Sequence, residues 1–375
     1  MSILPPATIG IFGGGQLGRM TSLAARSLGF NIRVLDPGAD CAAAPVVDRV
    51  VRAAFDDEAA AAEFANGCDV VTLEIEQISP GALAAALQHA PVRPSPEAIH
   101  IIQDRQRQKE WLSQKGAPVG PYAVVQSAEE LALAWRTIGP QLFVKACHGG
   151  YDGRSQFRYD GSVSAQDAFA SIGGLRSVAE QALPLALELS VLVARRPSGD
   201  IAVYPPALNH HEQQILAWSV LPGEIDPRIA SEAQRIASDI ARELRLEGIL
   251  AVEMFLLTDG RLFVNELAPR PHNSYHASEL ACVTSQFEQH VRAVCDLPLG
   301  DTRIVRPAAI VNLFGDLWLD GRVPDFARAL SVNGSRLFLY GKHGARAARK
   351  MGHLAASADT PALAIETALH ARSLL

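Results

Sequence analysis

Short apolar runs, separated by glycine, proline and aspartate, set the rhythm of this 375-residue chain. Thr8 to Phe12, Ile32 to Leu35 and Asp69 to Leu73 are β-rich, and residues 19–28 read as helix between the first two. That alternation predicts a small parallel α/β unit. Val46-Val47 and Val50-Val51 suggest another short strand, and Ala59 to Ala62 is helix-favouring. Pro91, Pro94 and Pro96 mark a boundary. Residues 97–116 read as one helix and 131–138 as an amphipathic one, followed by a strand from Leu142 to Lys145. Ser177 to Gln181, Leu187 to Val193 and Ile201 to Val203 read as antiparallel strands, with Ser198-Gly199-Asp200 as a turn. Ile229, Ile236, Ile240 and Leu244 recur at helical spacing within 226–246. Residues 286–296 predict a helix, and 308–314 and 335–340 predict strands.

The sharpest pattern runs from Leu250 to His276. Two apolar runs flank Asp259-Gly260, a strong signal for a two-residue hairpin turn. Counting outward sets Thr258 against Arg261, Phe255 against Val264 and Glu253 against Glu266. Directly opposed Cβ atoms lie about 4.5–5.5 Å apart. Two carboxylates so placed among apolar neighbours are costly unless one is protonated or a cation sits between them. A hard divalent cation, ligated by oxygens and shared with phosphate, fits such a pair. The chain then breaks at Pro269 and Pro271 and presents Arg270, His272 and Asn273, a cluster suited to anions. This stretch reads as a Mg²⁺–nucleotide site, Glu253 and Glu266 its metal ligands, with an anion-binding extension.

Composition narrows the class. The chain is 48% hydrophobic and 20% charged with a formal net charge of -6, an ordinary globular balance with length for two or three cores. Slight acidity argues against general nucleic-acid or membrane-surface binding. No apolar run is long enough to span a bilayer, and residues 1–7 lack the basic start of a signal peptide. Cys41, Cys68, Cys147, Cys282 and Cys295 show neither CxxC nor zinc spacing, so reduced thiols in a cytoplasmic protein are expected.

Three further motifs carry chemistry. Gly13-Gly-Gly-Gln-Leu-Gly18 follows a strand, opens a helix and precedes Asp36 at the end of the next strand. That is a dinucleotide fingerprint, although glycines and a helix N-terminus suit any phosphate. By the rule for open parallel sheets, the strand ends carrying Gln16, Leu17 and Glu74 face one crevice. Lys145 runs into Gly149-Gly-Tyr-Asp-Gly-Arg-Ser155, which reads either as a loop folding over phosphates or as a surface hairpin. Arg105, Arg107 and Lys109 read mostly as a solvated helix face. Tyr340 to His353 is a basic run that is either solvated or a strand pair delivering Lys342 and Arg349 to a phosphate.

Together these motifs resemble the ATP-grasp superfamily and, within it, the 5-(carboxyamino)imidazole ribonucleotide synthase family. The likeness covers nearly the whole chain. It rests on Gly15-Gln-Leu-Gly-Arg-Met20, Val71-Thr-Leu-Glu-Ile-Glu76, Gly149 to Arg154, Asn265 to Ser274 and Arg349-Lys-Met-Gly-His-Leu354. The resemblance implies an α/β and α+β ATP-grasp fold. Its parts would be a Rossmann-like N-terminal domain (1–96), an ATP-grasp domain (97–296) with a lid lobe at about 120–185, and a small C-terminal domain (297–375). It implies ATP-dependent carboxylation of aminoimidazole ribonucleotide with bicarbonate, Mg²⁺ as cofactor, and a homodimer.

The resemblance also assigns roles. Arg105 and Lys145 would meet ATP phosphates, and the loop Gly150, Tyr151, Asp152, Gly153, Arg154, Ser155 and Gln156 would cover them. Glu180, Gln181, Ala182 and Leu183 would line the adenine edge, with Glu188 on the ribose and His211 nearby. Asn265 would stand beside Glu253 and Glu266. Gln16, Leu17, Glu74, Tyr151, Asp152, Arg270, His272 and Asn273 would surround the ribonucleotide and bicarbonate, and Lys342 and Arg349 would hold its phosphate. Arg270, Asp152 and Lys145 would act in catalysis. One departure is Ala268, where many ATP-grasp enzymes carry an asparagine metal ligand. Two rivals remain: a formate-dependent glycinamide ribonucleotide transformylase, and an NAD-dependent oxidoreductase built on Gly13–Gly18 and Asp36.

Overall fold

The computed structural model describes residues 2–149, 156–212 and 214–375. Among them, strands β1 (Thr8–Phe12), β2 (Asn31–Leu35), β3 (Arg49–Val51) and β4 (Val70–Leu73) form a parallel sheet in the order β3-β2-β1-β4. The chain leaves β1, winds through the helix Gln16–Ser27 and returns on one side of β1, then places β4 on the other side. The loops after β1 and β4 are thereby neighbours at a topological switch point. Val46 closes a short 3-10 turn (Ala44–Val46) rather than a strand, with Pro45 inside it.

A second sheet holds β5 (Tyr122–Val125), β6 (Leu142–Ala146), β7 (Gln156–Tyr159) and β8 (Ser177–Gln181), all antiparallel, in the order β5-β8-β6-β7. Ser177–Gln181 thus belongs here, not beside the strand that follows it. Its burial pattern suits either sheet, and the break that separates them at Ala182–Pro184 is too short to advertise a change of layer.

The third sheet is the largest. It contains β9 (Leu185–Arg195), β10 (Ile201–Val203), β11 (Ala207–Glu212), β12 (Ile215–Leu221), β13 (Gly248–Leu257), β14 (Leu262–Ala268), β15 (Ala308–Phe314), β16 (Ser335–Leu339) and β17 (Lys350–Ser357). Its main path is β14-β13-β9-β11-β12-β15-β17-β16, with β10 on β9. The helix Pro227–Glu243 packs Ala233, Ile236 and Ile240 on one face, against Leu189, Val191, Leu250 and Val252. On the other face Leu192, Ile249 and Ala251 meet Tyr275, Ala281 and Ala293. Covered on both sides, β13 has no need of polar alternation.

Two expectations fail for identifiable reasons. Residues 97–116 are two helices, Pro96–Ile102 and Arg105–Gln114. The break falls at Asp104, whose Oδ1 accepts a hydrogen bond from Arg107 N at 2.9 Å and starts the second helix. Of β17 only the start, Lys350 to His353, falls within the strand-pair alternative, and the helix Pro361–Ser373 went unread, because its buried positions are alanines. Such residues carry little strand or helix periodicity.

Gly13 sits at φ +95° behind β1, and a Cβ there would come within 2.5 Å of Glu74 Cγ. Gly13→Ala is expected to lower the unfolding free energy by about 2 kcal/mol, from backbone strain plus collision. Urea unfolding checks this, and an unchanged midpoint would contradict the placement of Glu74.

Candidate active site

The hairpin β13–β14 brings Glu253 and Glu266 into register, as counting from the turn predicts. The route differs. Leu257 N–H bonds to Arg261 O at 2.9 Å and Gly260, at φ +85°, closes a three-residue loop of Thr258, Asp259 and Gly260. Phe255 therefore faces Phe263 rather than Val264, and Thr258 lies in the turn instead of opposing Arg261. A bulge then restores the phase: Glu253 pairs with Glu266 and Met254 with Val264, leaving Asn265 as the extra residue. Bulges re-aim side chains, and Asn265 Oδ1 lies 3.2 Å from Lys145 Nζ.

Side chains from other elements meet both carboxylates, and Arg105 neutralises one of them, so the pair does not depend on a metal alone. Arg105 Nη1 lies 2.6 Å from Glu266 Oε2 and His272 Nε2 lies 2.9 Å from Glu253 Oε1. Burial pushes the Glu266 carboxyl up, but Arg105 and Lys145 outweigh it and hold it at about 2. Among the described residues no group of three or more His, Cys, Asp or Glu is arranged to hold a metal. Two opposed carboxylates nonetheless suit Mg²⁺, which takes one or two from the protein and the remainder from phosphate and water.

Beside this pair, Glu180 is shared by two ammonium groups. Lys145 Nζ lies 2.7 Å from Oε2 and Lys109 Nζ 3.2 Å from Oε1. Burial alone would raise the Glu180 carboxyl; Lys145 and Lys109 bring it down to about 2. Lys109 corrects the solvated-face reading, being only 5% exposed. Burial lowers its pKa, and Glu180 offsets that only in part. Arg105 and Lys109 are four apart, so the helix turns both toward this cleft. The side chain of Glu180 faces lysines, so any adenine contact from it falls to its backbone.

These groups line one cleft of about 590 Å³ between the second and third sheets. Gln181, Leu183, Glu188, His211 and Gln156 are on its wall, whereas Ala182 turns its N–H to Gln141 O at 2.9 Å. His211 Nδ1 is 2.9 Å from Glu188 Oε2. At the other end stand Gln16, Leu17, Arg270, His272 and Asn273. Arg270 Nε is 2.8 Å from Glu76 Oε1, a carboxylate not singled out from the sequence. The amide of Asn273 is 8% exposed and both its polar atoms lack a partner among the described residues, a buried cost that a ligand would relieve. Gly150, Tyr151, Asp152, Gly153, Arg154 and Ser155 lie outside the described residues.

Three predicted substrate residues are not on the cleft wall. Lys342 Nζ donates to Gln16 Oε1 at 2.6 Å, just behind it. Arg349 Nη2 is 2.8 Å from Asp40 Oδ2, on the N-terminal unit. Glu74 folds into the glycine corner. Its Oε1 accepts from Gly15 N–H and its Oε2 from Gly18 N–H at 2.5 Å. Asp36 accepts from Gly14 and Gly38 N–H at 2.7 Å each. The place a pyrophosphate would take at the helix N-terminus is held by the chain's own carboxylate, and the acidic residue meant for a ribose is committed to the loop. The oxidoreductase reading loses its site.

Two sheets closing on a cleft of lysines and opposed carboxylates define an ATP-grasp protein. Residues 110–287 match the ATP-grasp domain, 6–103 the ribonucleotide synthetase preATP-grasp domain, and 308–367 the phosphoribosylaminoimidazole carboxylase C-terminal domain. The chain is 40% identical over 353 residues to N5-carboxyaminoimidazole ribonucleotide synthase of Bacillus subtilis, covering 94% of this chain and 92% of that one. A solved ADP complex of an N5-carboxyaminoimidazole ribonucleotide synthetase superposes with TM-score 0.92 at 39% identity, covering 99% and 97%. The Aspergillus clavatus enzyme, solved with ADP and 5-aminoimidazole ribonucleotide, gives 0.88 at 29% identity, covering 98% of each chain. The chain belongs to the N5-carboxyaminoimidazole ribonucleotide synthase family. No helix among the described residues is long and apolar enough to cross a membrane.

Two outcomes follow from this geometry. Mg-ATP should raise the melting temperature and NADH should not; the reverse would restore the dinucleotide reading. Burial lowers the pKa of His211, but Glu188 more than compensates and it ends above its ordinary 6.5. A raised folded value stabilises below the unfolded pKa and is lost as pH rises through the folded one. Wild type should therefore exceed His211→Gln in unfolding free energy by more at about pH 5.5 than at about pH 8.5. Equal gaps at both would deny the pairing.

Proposed function

We propose that this chain uses ATP and bicarbonate to carboxylate the exocyclic amine of 5-aminoimidazole ribonucleotide, an ATP-dependent carbon–nitrogen ligation in purine biosynthesis. The observation that carries the reading is the continuity of the cleft. The charged groups on its wall touch in series: Lys109 and Lys145 share Glu180, Arg105 meets Glu266, Glu266 opposes Glu253, and Glu253 meets His272, which is flanked in sequence by Arg270 and Asn273. A nucleotide triphosphate entering the cationic end would point its terminal phosphate toward the anion-binding end.

In this reading Arg105 and Lys145 bind the polyphosphate, with Lys145 exchanging Glu180 for phosphate oxygens while Lys109 keeps Glu180 neutralised. Gln181 and Leu183 flank the adenine and Glu188 the ribose. Glu253 and Glu266, with Asn265 beside them, are the oxygen set for Mg²⁺, which when bound supplies neutralisation of the triphosphate charge. Arg270, held by Glu76, orients bicarbonate for attack on the γ-phosphorus, releasing ADP and leaving carboxyphosphate. The substrate amine then attacks the carbon either of carboxyphosphate, with phosphate departing, or of CO₂ already released from it with that phosphate, the amine proton passing to Asp152 or to the phosphate. Carboxyphosphate hydrolyses readily, so excluding water from the cleft matters as much as aligning the groups. Gln16 and Leu17 flank the ribonucleotide. Glu74, Lys342 and Arg349 stand behind that wall, Lys342 holding Gln16 and Glu74 the glycine turn that carries it. Binding of the substrate phosphate by Lys342 and Arg349 would require them to exchange their present partners.

The same reading divides the chain at 1–96, 97–296 and 297–375, with the lid lobe at about 120–185. The parallel sheet and the four-stranded antiparallel sheet support the first boundary and the lid lobe, and the separate match of 308–367 supports the last, although β15 to β17 continue the large sheet. A cytoplasmic homodimer is part of it; sedimentation of the purified chain tests the assembly.

ADP release measured with ATP and bicarbonate should rise sharply on adding aminoimidazole ribonucleotide. Formate with glycinamide ribonucleotide should give no product; the opposite pattern would transfer the chain to the transformylase reaction. Glu266→Ala should reduce turnover by roughly a thousandfold with its circular dichroism intact. An undiminished rate would remove Glu266 from the metal set.

A further inference from the structure

The charged groups at the nucleotide end of the cleft sit on three separate elements. Arg105 and Lys109 ride on the helix Arg105–Gln114, Lys145 on β6 and Glu180 on β8. Their spacing must be set by something, because an ammonium displaced by an ångström loses much of its hold on a phosphate. All three elements meet at one carboxylate that is not on the cleft wall. Asp104 is fully buried, at 0% exposure. Its Oδ1 caps the helix by accepting from Arg107 N–H at 2.9 Å. Its Oδ2 lies 2.5 Å from Nη2 of Arg176, the residue before β8. The same oxygen is 2.6 Å from Nε2 of His148, two residues beyond the end of β6. Backbone bonds run alongside: Arg105 N–H to Cys147 O at 3.0 Å and Cys147 N–H to Arg176 O at 2.9 Å. Arg176 also donates to Gln106 Oε1.

A helix cap needs only one neutral oxygen, and asparagine or serine serves as well as aspartate. Burying a full carboxylate is costly unless it is paired and hydrogen-bonded. The second oxygen of Asp104 is therefore not explained by capping. It is explained if its charge clamps the start of β8 and the end of β6 onto the helix that carries Arg105. We infer that Asp104, acting through Arg176 and His148, is a positioning residue for the nucleotide site. Its negative charge sets the distance between the helix cations and the Lys145–Glu180 pair. The inference rests on the proposed reading only for the identity of the nucleotide.

Asp104→Asn keeps the shape and the cap and removes the charge. Calorimetry on the full chain with MgADP is expected to show affinity lower by about tenfold, the scale of one charge-assisted hydrogen bond. Affinity for aminoimidazole ribonucleotide, bound at the far end, should be unchanged. Arg176→Gln should reproduce the loss and Arg176→Lys should recover most of it. Arg176 is partly exposed, so these two variants decide the matter if Asp104→Asn does not fold. Unchanged MgADP affinity, or equal loss of both ligands, overturns the inference, the latter because a merely structural role would spare neither. A wild-type chain that binds MgADP but gives no acceptor-stimulated ADP release would sink the proposed reaction alone. The Arg176 pair would still read the clamp through MgADP.

Discussion

Balancing opposite charges in a half-dehydrated cleft is the constraint on which this molecule turns. Glu180, Glu253 and Glu266 come from β8, β13 and β14; Lys145 meets Glu180, Arg105 meets Glu266 and the His272 imidazole meets Glu253, each from a different stretch of chain. None of these pairs would be worth much on an exposed surface. Partly withdrawn from water they count for more, because leaving a charge unpaired costs more the deeper it is buried. The cleft is held in shape by its own electrostatics, and arriving phosphate would exchange partners within a charge pattern already present.

The glycine corner shows the same economy in another form. A strand, a glycine turn and a helix N-terminus make an anion site wherever they occur. Here β4 runs beside β1 and delivers Glu74 into it. The corner thus becomes an internal joint between two loops. Burial raises the Glu74 carboxyl, while the Gly18 and Gly15 N–H groups and Lys342 pull it the other way. A motif that reads as ligand-binding is consumed by packing because its neighbour in space, fifty-odd residues on, carries the missing charge.

The β13–β14 hairpin illustrates why a correct conclusion can rest on a wrong count. A three-residue loop shifts the register by one, which would send one glutamate to the opposite face. The bulge at Asn265 shifts it back. Setting Glu253 opposite Glu266 on one face needs an in-phase register, and the chain reaches it with two irregularities instead of none. Lys109 was misread for a related reason. On a helix whose neighbours read Arg-Gln-Arg-Gln, nothing local distinguishes a solvated lysine from one facing a buried glutamate seventy residues away.

What the residues alone determined were the local periods and the joint order of motifs: β1 and β10 end where the apolar runs end, and the runs Gly15–Met20, Val71–Glu76, Gly149–Arg154, Asn265–Ser274 and Arg349–Leu354 carry the family likeness. Those depend on side-chain pattern and turn chemistry, which act within a few residues. Only the tertiary structure decided who neutralises whom: Arg105 with Glu266, His272 with Glu253, Lys109 and Lys145 with Glu180, Glu74 with the glycine turn. It alone also separated β8 from β9 and carried the large sheet on into β15, β17 and β16. Coulombic and hydrogen-bonded partners are chosen by distance in space, and a linear chain records distance only along itself.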